Sequence, residues 1–241
     1  MSDYDRNVAA FPGTRAGQST AVDAGLRAHM LTVYNYMAGG VALTGFVAYF
    51  TNMYFGKALY GSPLMYVLIF APLILVFFLS WRINQLAAGT ARALFFLYAA
   101  LLGASLSVIF AVYTESSITR VFFISAAAFG GLSLWGYTTR RDLTGMGSFL
   151  IMGLFGIIIA SLVNIFVAST MLQWIVSVVG VLVFAGLTAW DTQRLKNDYI
   201  YGYASQGGEI AEKAAITGAL SLYLNFINLV TLLLQLLGQR D

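Results

Sequence analysis

The chain has 241 residues, 59% of them hydrophobic and only 10% charged, where a soluble domain carries about 25% charged residues. That composition cannot cover a water-facing surface, so the chain is read as an integral membrane protein. The net charge of +3 needs no nucleic acid to explain it, and with no cysteine and one histidine, His29, disulfides, iron–sulfur clusters and thiolate zinc sites are excluded.

Residues 1–28 mix Arg6, Arg15 and Arg27 with Asp3, Asp5 and Asp23 and lack the apolar core of a signal peptide. They are expected to form a flexible cytoplasmic tail. A spanning helix needs about 20 apolar residues. Such runs occur at 29–51, 63–80, 93–113, 118–138, 149–168, 171–190 and 216–237. The expected fold is therefore an all-α membrane protein, a seven-transmembrane-helix bundle occupying residues 29–237. The longest connection, 191–215, is expected to be a loop of mixed charge, with Asp191 at its start.

Small residues recur at 38–40, 42 and 45 and at 126–128, 130–131, 133 and 136, a pattern that lets neighbouring backbones approach. Asn35 and Asn164 are read as interhelical hydrogen-bonding residues. With the N-terminus inside, the inside segments hold Arg6, Arg15, Arg27, Arg82, Arg92, Arg140, Arg141, Arg194, Lys196 and Lys213, and the outside holds Lys57, Arg120 and Arg240. Ten against three predicts a cytoplasmic N-terminus and an outside C-terminus.

The last span carries Thr217, Ser221, Asn225, Asn228, Thr231 and Gln235 on one arc at helical spacing. Lipid cannot satisfy amides, so the stripe is expected to face protein or a water-filled path, which makes the seventh helix central. The opposite face, with Leu222 and Leu229, is expected to be the more accessible to lipid. Tyr223 is the one polar exception on it.

The segments GLTAWDTQRLKN (186–197) and GALSLYLNFINL (218–229), supported by GYTTRRDLTGMGSF (136–149), resemble the Bax inhibitor-1 family (transmembrane Bax inhibitor motif proteins), in its bacterial branch. The resemblance covers about residues 25–240. It implies a seven-helix cell inner-membrane protein in which aspartates on helices six and seven form a pH-sensing pair governing a leak of Ca²⁺ or other cations. The first aspartate falls on Asp191 and the second on Asn225, so the chain departs from the family pattern at one of its two central positions. Two carboxylates in contact titrate as a coupled pair, whereas an Asn can donate an N–H to an ionised partner. Weakened proton sensing near neutral pH is expected. The family also places an arginine near the pair; Arg82 and Arg92 are candidates by position, and Arg194, one turn beyond Asp191, is the local alternative.

Asp191 is the expected cation contact, a weak and transient one, since Ca²⁺ prefers six to eight oxygens. The rest of the stripe, Thr217, Ser221, Asn228, Thr231 and Gln235, would line the path. Besides membrane lipid, the resemblance implies Ca²⁺ or H⁺ as permeant cation, or, in an alternative function, a membrane protease modulated by a non-transporting bundle. No cofactor is expected. Neither is catalysis, because GASLS (103–107), though similar to a rhomboid serine motif, has no histidine at matching depth.

Overall fold

The computed structural model describes residues 12–203 and 208–240, with side chains in the first helix from Val22 onward. The helices are α1 (Pro12–Leu59), α2 (Pro63–Arg82), α3 (Ala88–Leu106), the short α4 (Ile109–Val112), α5 (Glu115–Thr138), α6 (Thr144–Val167), α7 (Thr170–Asp198) and α8 (Glu209–Leu237). Seven of these stretches are long and apolar enough to cross a membrane. In hydrocarbon a chain must satisfy its backbone groups within itself, and a helix does so without a partner.

α8 is the central helix, packed by α7, α1, α5 and α3. α2 rests mainly on α3, and α6 on α7. Outer faces of these two peripheral helices, such as Phe77, Trp81, Phe155 and Phe166, are exposed as lipid-facing residues are. α8 is also buried on both of its faces. Leu222 and Leu229, expected on the accessible side, are 0% and 1% exposed and belong to the main core with Tyr223, Phe95 and Ile216. In lipid an apolar face is no guide to exposure, because neighbouring helices bury it as readily as acyl chains do.

Two boundaries differ from the sequence reading. α1 begins at Pro12, so residues 12–28 are helical, while residues 1–11 lie outside the described part. The physical reason is a stripe the composition hides: Leu26, Met30, Val33 and Met37, spaced four, three and four residues apart, are all buried. Likewise 191–215 is not a single loop. α7 continues to Asp198 and widens into a π-helical turn, Tyr199–Tyr203, before α8 starts at Glu209. The extension holds because Thr192, Gln193 and Leu195 are buried. Gln193 accepts from the Leu143 N–H and donates to the Arg141 carbonyl, both at 2.8 Å, and Lys196 donates to the Tyr137 carbonyl at 2.9 Å. The polar residues after Asp191 thus tie α7 to the α5–α6 connection.

At the opposite end of the bundle, Ala168 takes a left-handed conformation (φ 51°) to close α6, and Ser169 caps α7 through the Leu172 N–H at 3.2 Å. Asn164 works in this turn, accepting the Ser169 N–H at 3.0 Å, rather than bridging helices. The Thr114 N–H donates to the Gln239 carbonyl at 3.1 Å, which fastens the end of the chain to the α4–α5 connection.

Candidate functional site

Asp191 lies in α7, some 31 Å along the axis from Thr170 at 1.5 Å per residue, about one hydrocarbon thickness. It is 4% exposed. Its position is set by the backbone behind it: a Cβ at Gly136 would collide with the Ala189 carbonyl, so α5 and α7 touch main chain to main chain two residues before the aspartate. Gly147 accommodates the Trp190 ring in the same way on the α6 side. The sequence signal for close packing was sound at Gly136. It failed at Gly45, Gly130 and Gly131, where a Cβ would meet nothing within 4 Å.

Three groups converge on the carboxylate. The Asn225 amide donates to Oδ2 at 2.7 Å, and the Ser221 hydroxyl donates to the same oxygen at 3.3 Å. Arg194 Nη2 stands 2.6 Å from Oδ1 and also donates to Ser221 Oγ at 3.2 Å. Oδ1 is buried and, by directional criteria, has no hydrogen-bond partner. The guanidinium is therefore held there by charge rather than by an aligned bond, and its own side chain is 38% exposed. It also lies over the Trp190 ring, 4.7 Å from the centroid. Arg194 is thus a cation held by Asp191, Ser221 and Trp190 with one side open.

That open side is a cavity of about 580 Å³ lined by His29, Asn84, Arg194, Asp198, Lys213 and Thr217, among others. Its walls come from α1, the α2–α3 connection, α7 and α8. Arg194 separates the cavity from Asp191. His29, 8% exposed, is stacked on Tyr199 at 4.9 Å between ring centroids.

The stripe on α8 divides into parts with different partners. Ser221 and Asn225 meet Asp191, and Thr217 faces the cavity. Asn228 donates to the Leu224 carbonyl at 2.8 Å and Thr231 to the Asn228 carbonyl at 3.0 Å, so both are satisfied inside α8. Gln235 accepts from Ser177 at 2.8 Å, near the far end. Of the three arginines considered, Arg194 is at the site. Arg92 is 3.7 Å from Glu212, and Arg82 is exposed at the end of α2. Among the described residues no three His, Cys, Asp or Glu side chains form a metal-binding group.

Some polar residues around the site escaped the sequence reading. Ser133 is 2.9 Å from Thr192, the neighbour of Asp191, and Tyr34 hydrogen-bonds Ser133 in turn. On the other face of α8 the Tyr223 hydroxyl meets Thr44 at 2.6 Å. Helical periodicity marks a stripe on one helix but not single hydroxyls from three. Only Tyr223, polar among leucines, stood out.

The family model described as "Inhibitor of apoptosis-promoting Bax1" matches residues 26–241. The chain is 46% identical over 252 residues to an uncharacterized protein of Caulobacter vibrioides, covering 99% of this chain and 98% of the relative. It is 42% identical to a protein of Rickettsia prowazekii, covering 100% of this chain and 99% of the relative. It is 45% identical over 227 residues to the inner membrane protein YbhL of Escherichia coli, covering 90% of this chain and 94% of that protein.

Proposed function

The chain belongs to the Bax inhibitor-1 family and is an integral membrane protein, and from that premise we propose that it is a cation leak, with Ca²⁺ as the expected ion, gated at Asp191 and weakly modulated by pH. The observation that carries the reading is a single buried carboxylate closed off from a polar cavity by one half-exposed arginine. A cation entering the cavity meets Arg194 first, and like charge repels it. When Arg194 turns to cavity water, the carboxylate becomes the attractive group, with the Ser221 oxygen beside it and the Asn225 amide N–H holding its Oδ2. One carboxylate with neutral oxygens favours passage over retention, because tight Ca²⁺ sites need more charge and more ligands.

Protonation of Asp191 removes the charge that holds Arg194. With Asn225 in the second position there is no like-charge repulsion to draw that proton on near neutral pH. The Lys/Arg asymmetry supports a cytoplasmic cavity, an N-terminus inside and a C-terminus outside. Alkaline phosphatase fused after Arg240 should be active if this orientation holds.

The test is Ca²⁺ flux into liposomes containing purified protein and an entrapped dye. Asp191→Asn should reduce flux, Arg194→Gln should raise it, and Asn225→Asp should make it more steeply pH-dependent than in the parent. No flux from any of the four proteins would overturn the leak. It would leave a bundle acting on a partner, for which the family resemblance suggests a membrane protease.

A further inference from the structure

α1 and α5 each pack on α8 but barely meet one another. Between them runs a seam of three adjoining cavities, the first walled by α1 and α5 alone and the other two reaching α8 at Phe226. The first, about 690 Å³, lies at the Asp191 end between Leu26, Met30 and Tyr34 of α1 and Phe129, Ser133 and Tyr137 of α5. The second, about 380 Å³, shares Phe129 with the first and adds Met37, Ala42, Ala126 and Phe226. The third, about 100 Å³, shares Val41, Gly45, Phe122 and Phe226 with the second. Small residues keep the seam open: Ala38, Ala42, Gly45 and Gly130 are exposed although apolar.

From this geometry we infer that the α1–α5 seam is a binding groove for one anionic phospholipid, with an acyl chain along the seam and the phosphate at its wide mouth. Two properties of the groove select that occupant. The first is its taper. A helix is about 10 Å across along its whole length and cannot follow a channel that shrinks from about 690 to about 100 Å³, whereas a flexible chain can. The second is its charge. Arg27 and Asp23 stand at the wide mouth. Lys196 is bound to the Tyr137 carbonyl at 2.9 Å and lies 5.3 Å from the centroid of that mouth-lining ring. Among the described residues, two cations against one carboxylate leave a positive mouth, and the Tyr34–Ser133 hydroxyl pair forms a polar floor beneath it.

The remainder is apolar, lined by Phe122, Phe129 and Phe226, whose rings meet edge to face. In a bilayer the acyl chain gains little from apolar burial, since its surroundings are apolar already. Selection must therefore come from the headgroup charge at the mouth. Occupancy would also bear on Asp191, because Ser133 at the groove floor bonds Thr192.

The test is lipid retention. Protein is reconstituted in nanodiscs of equal parts phosphatidylglycerol and phosphatidylcholine, extracted into mild detergent and weighed by native mass spectrometry. The parent should keep one phosphatidylglycerol in preference to phosphatidylcholine. Arg27→Gln should reduce that preference roughly fivefold, the effect of removing one basic residue near an anionic headgroup. Gly45→Leu and Gly130→Leu, made where an added Cβ meets nothing within 4 Å, should abolish retention while leaving the melting temperature in lipid-free detergent unchanged. Equal retention of both lipids by the parent, or unchanged retention in both groove-filled variants, would overturn the inference. So would efficient cross-linking of Ala126→Cys to a second copy in the nanodisc, which would make the seam an interface between chains.

Discussion

Asp191 and Ser177 sit on one face of α7, about four turns apart, and each reaches across to the same stripe on α8. Around Asp191 an amide, a hydroxyl and a guanidinium serve one buried carboxylate. At the other end a neutral hydroxyl, 1% exposed, meets one amide oxygen of Gln235, a residue on the exposed rim. A stripe that is uniform in sequence therefore does two jobs. The Asp191 end concentrates charge beside a cavity. The Gln235 end is ordinary interhelical adhesion, worth about 0.6 kcal/mol per bond in a bundle of this kind.

Substitutions should separate the two ends by size of effect. The largest is expected at Gly136→Val, where the new side chain runs into the Ala189 main chain and must push α5 from α7; about 3 kcal/mol is expected, read from unfolding in detergent micelles. A cost under 1 kcal/mol would mean that the Asp191 cluster does not depend on this close approach. Next is Asn225→Leu, which takes from the buried carboxylate its 2.7 Å donor. Hydrogen bonds to charged groups suggest a loss of about 2 kcal/mol. Asp191→Asn in that background should recover part of it, by removing the charge left unserved.

Ser177→Ala should cost only about 0.6 kcal/mol and leave any ion flux as it was. If it matched Asn225→Leu, the contrast between the ends would be gone. The smallest effect lies outside the membrane, at Asp142, in the connection that Gln193 ties to α7. Its carboxyl is held below its ordinary value of 3.8 by hydrogen bonds from the Thr144 hydroxyl and N–H. A depressed value in the folded state means stability that is present above the ordinary value and lost as pH falls through the folded one. A difference in melting temperature between the parent and Asp142→Asn should therefore vanish only in strong acid. A difference that vanished near neutral pH would reverse the sign of this argument.

Part of the site was legible because chemistry forced it. A stripe of amides on the last span cannot face lipid, so its burial was legible from polarity, whereas the meeting of Asp191 with Asn225 was what the family resemblance implied. Arg194 was legible as a neighbour one turn away. Its place between cavity and carboxylate was not, since that required α7 to continue past Asp191, and the residues that continue it, Thr192 and Gln193, look like loop in isolation. Tyr34 and Thr44 share α1 but meet different partners, and Ser133 on α5 was marked only as one small residue among several, so no polar stripe announced them.

The sequence by itself determined seven helices, the membrane as solvent and the polar stripe. Each follows from backbone hydrogen bonding in hydrocarbon and from the cost of leaving an amide there unpaired. Only the tertiary structure decided that Leu222 and Leu229 are core, that Asn228 and Thr231 bond their own helix, and that α1 and α5 stand apart. Apolar side chains interact about equally well with lipid and with other helices, so in a membrane hydropathy states which segments enter. Shape then decides what they touch.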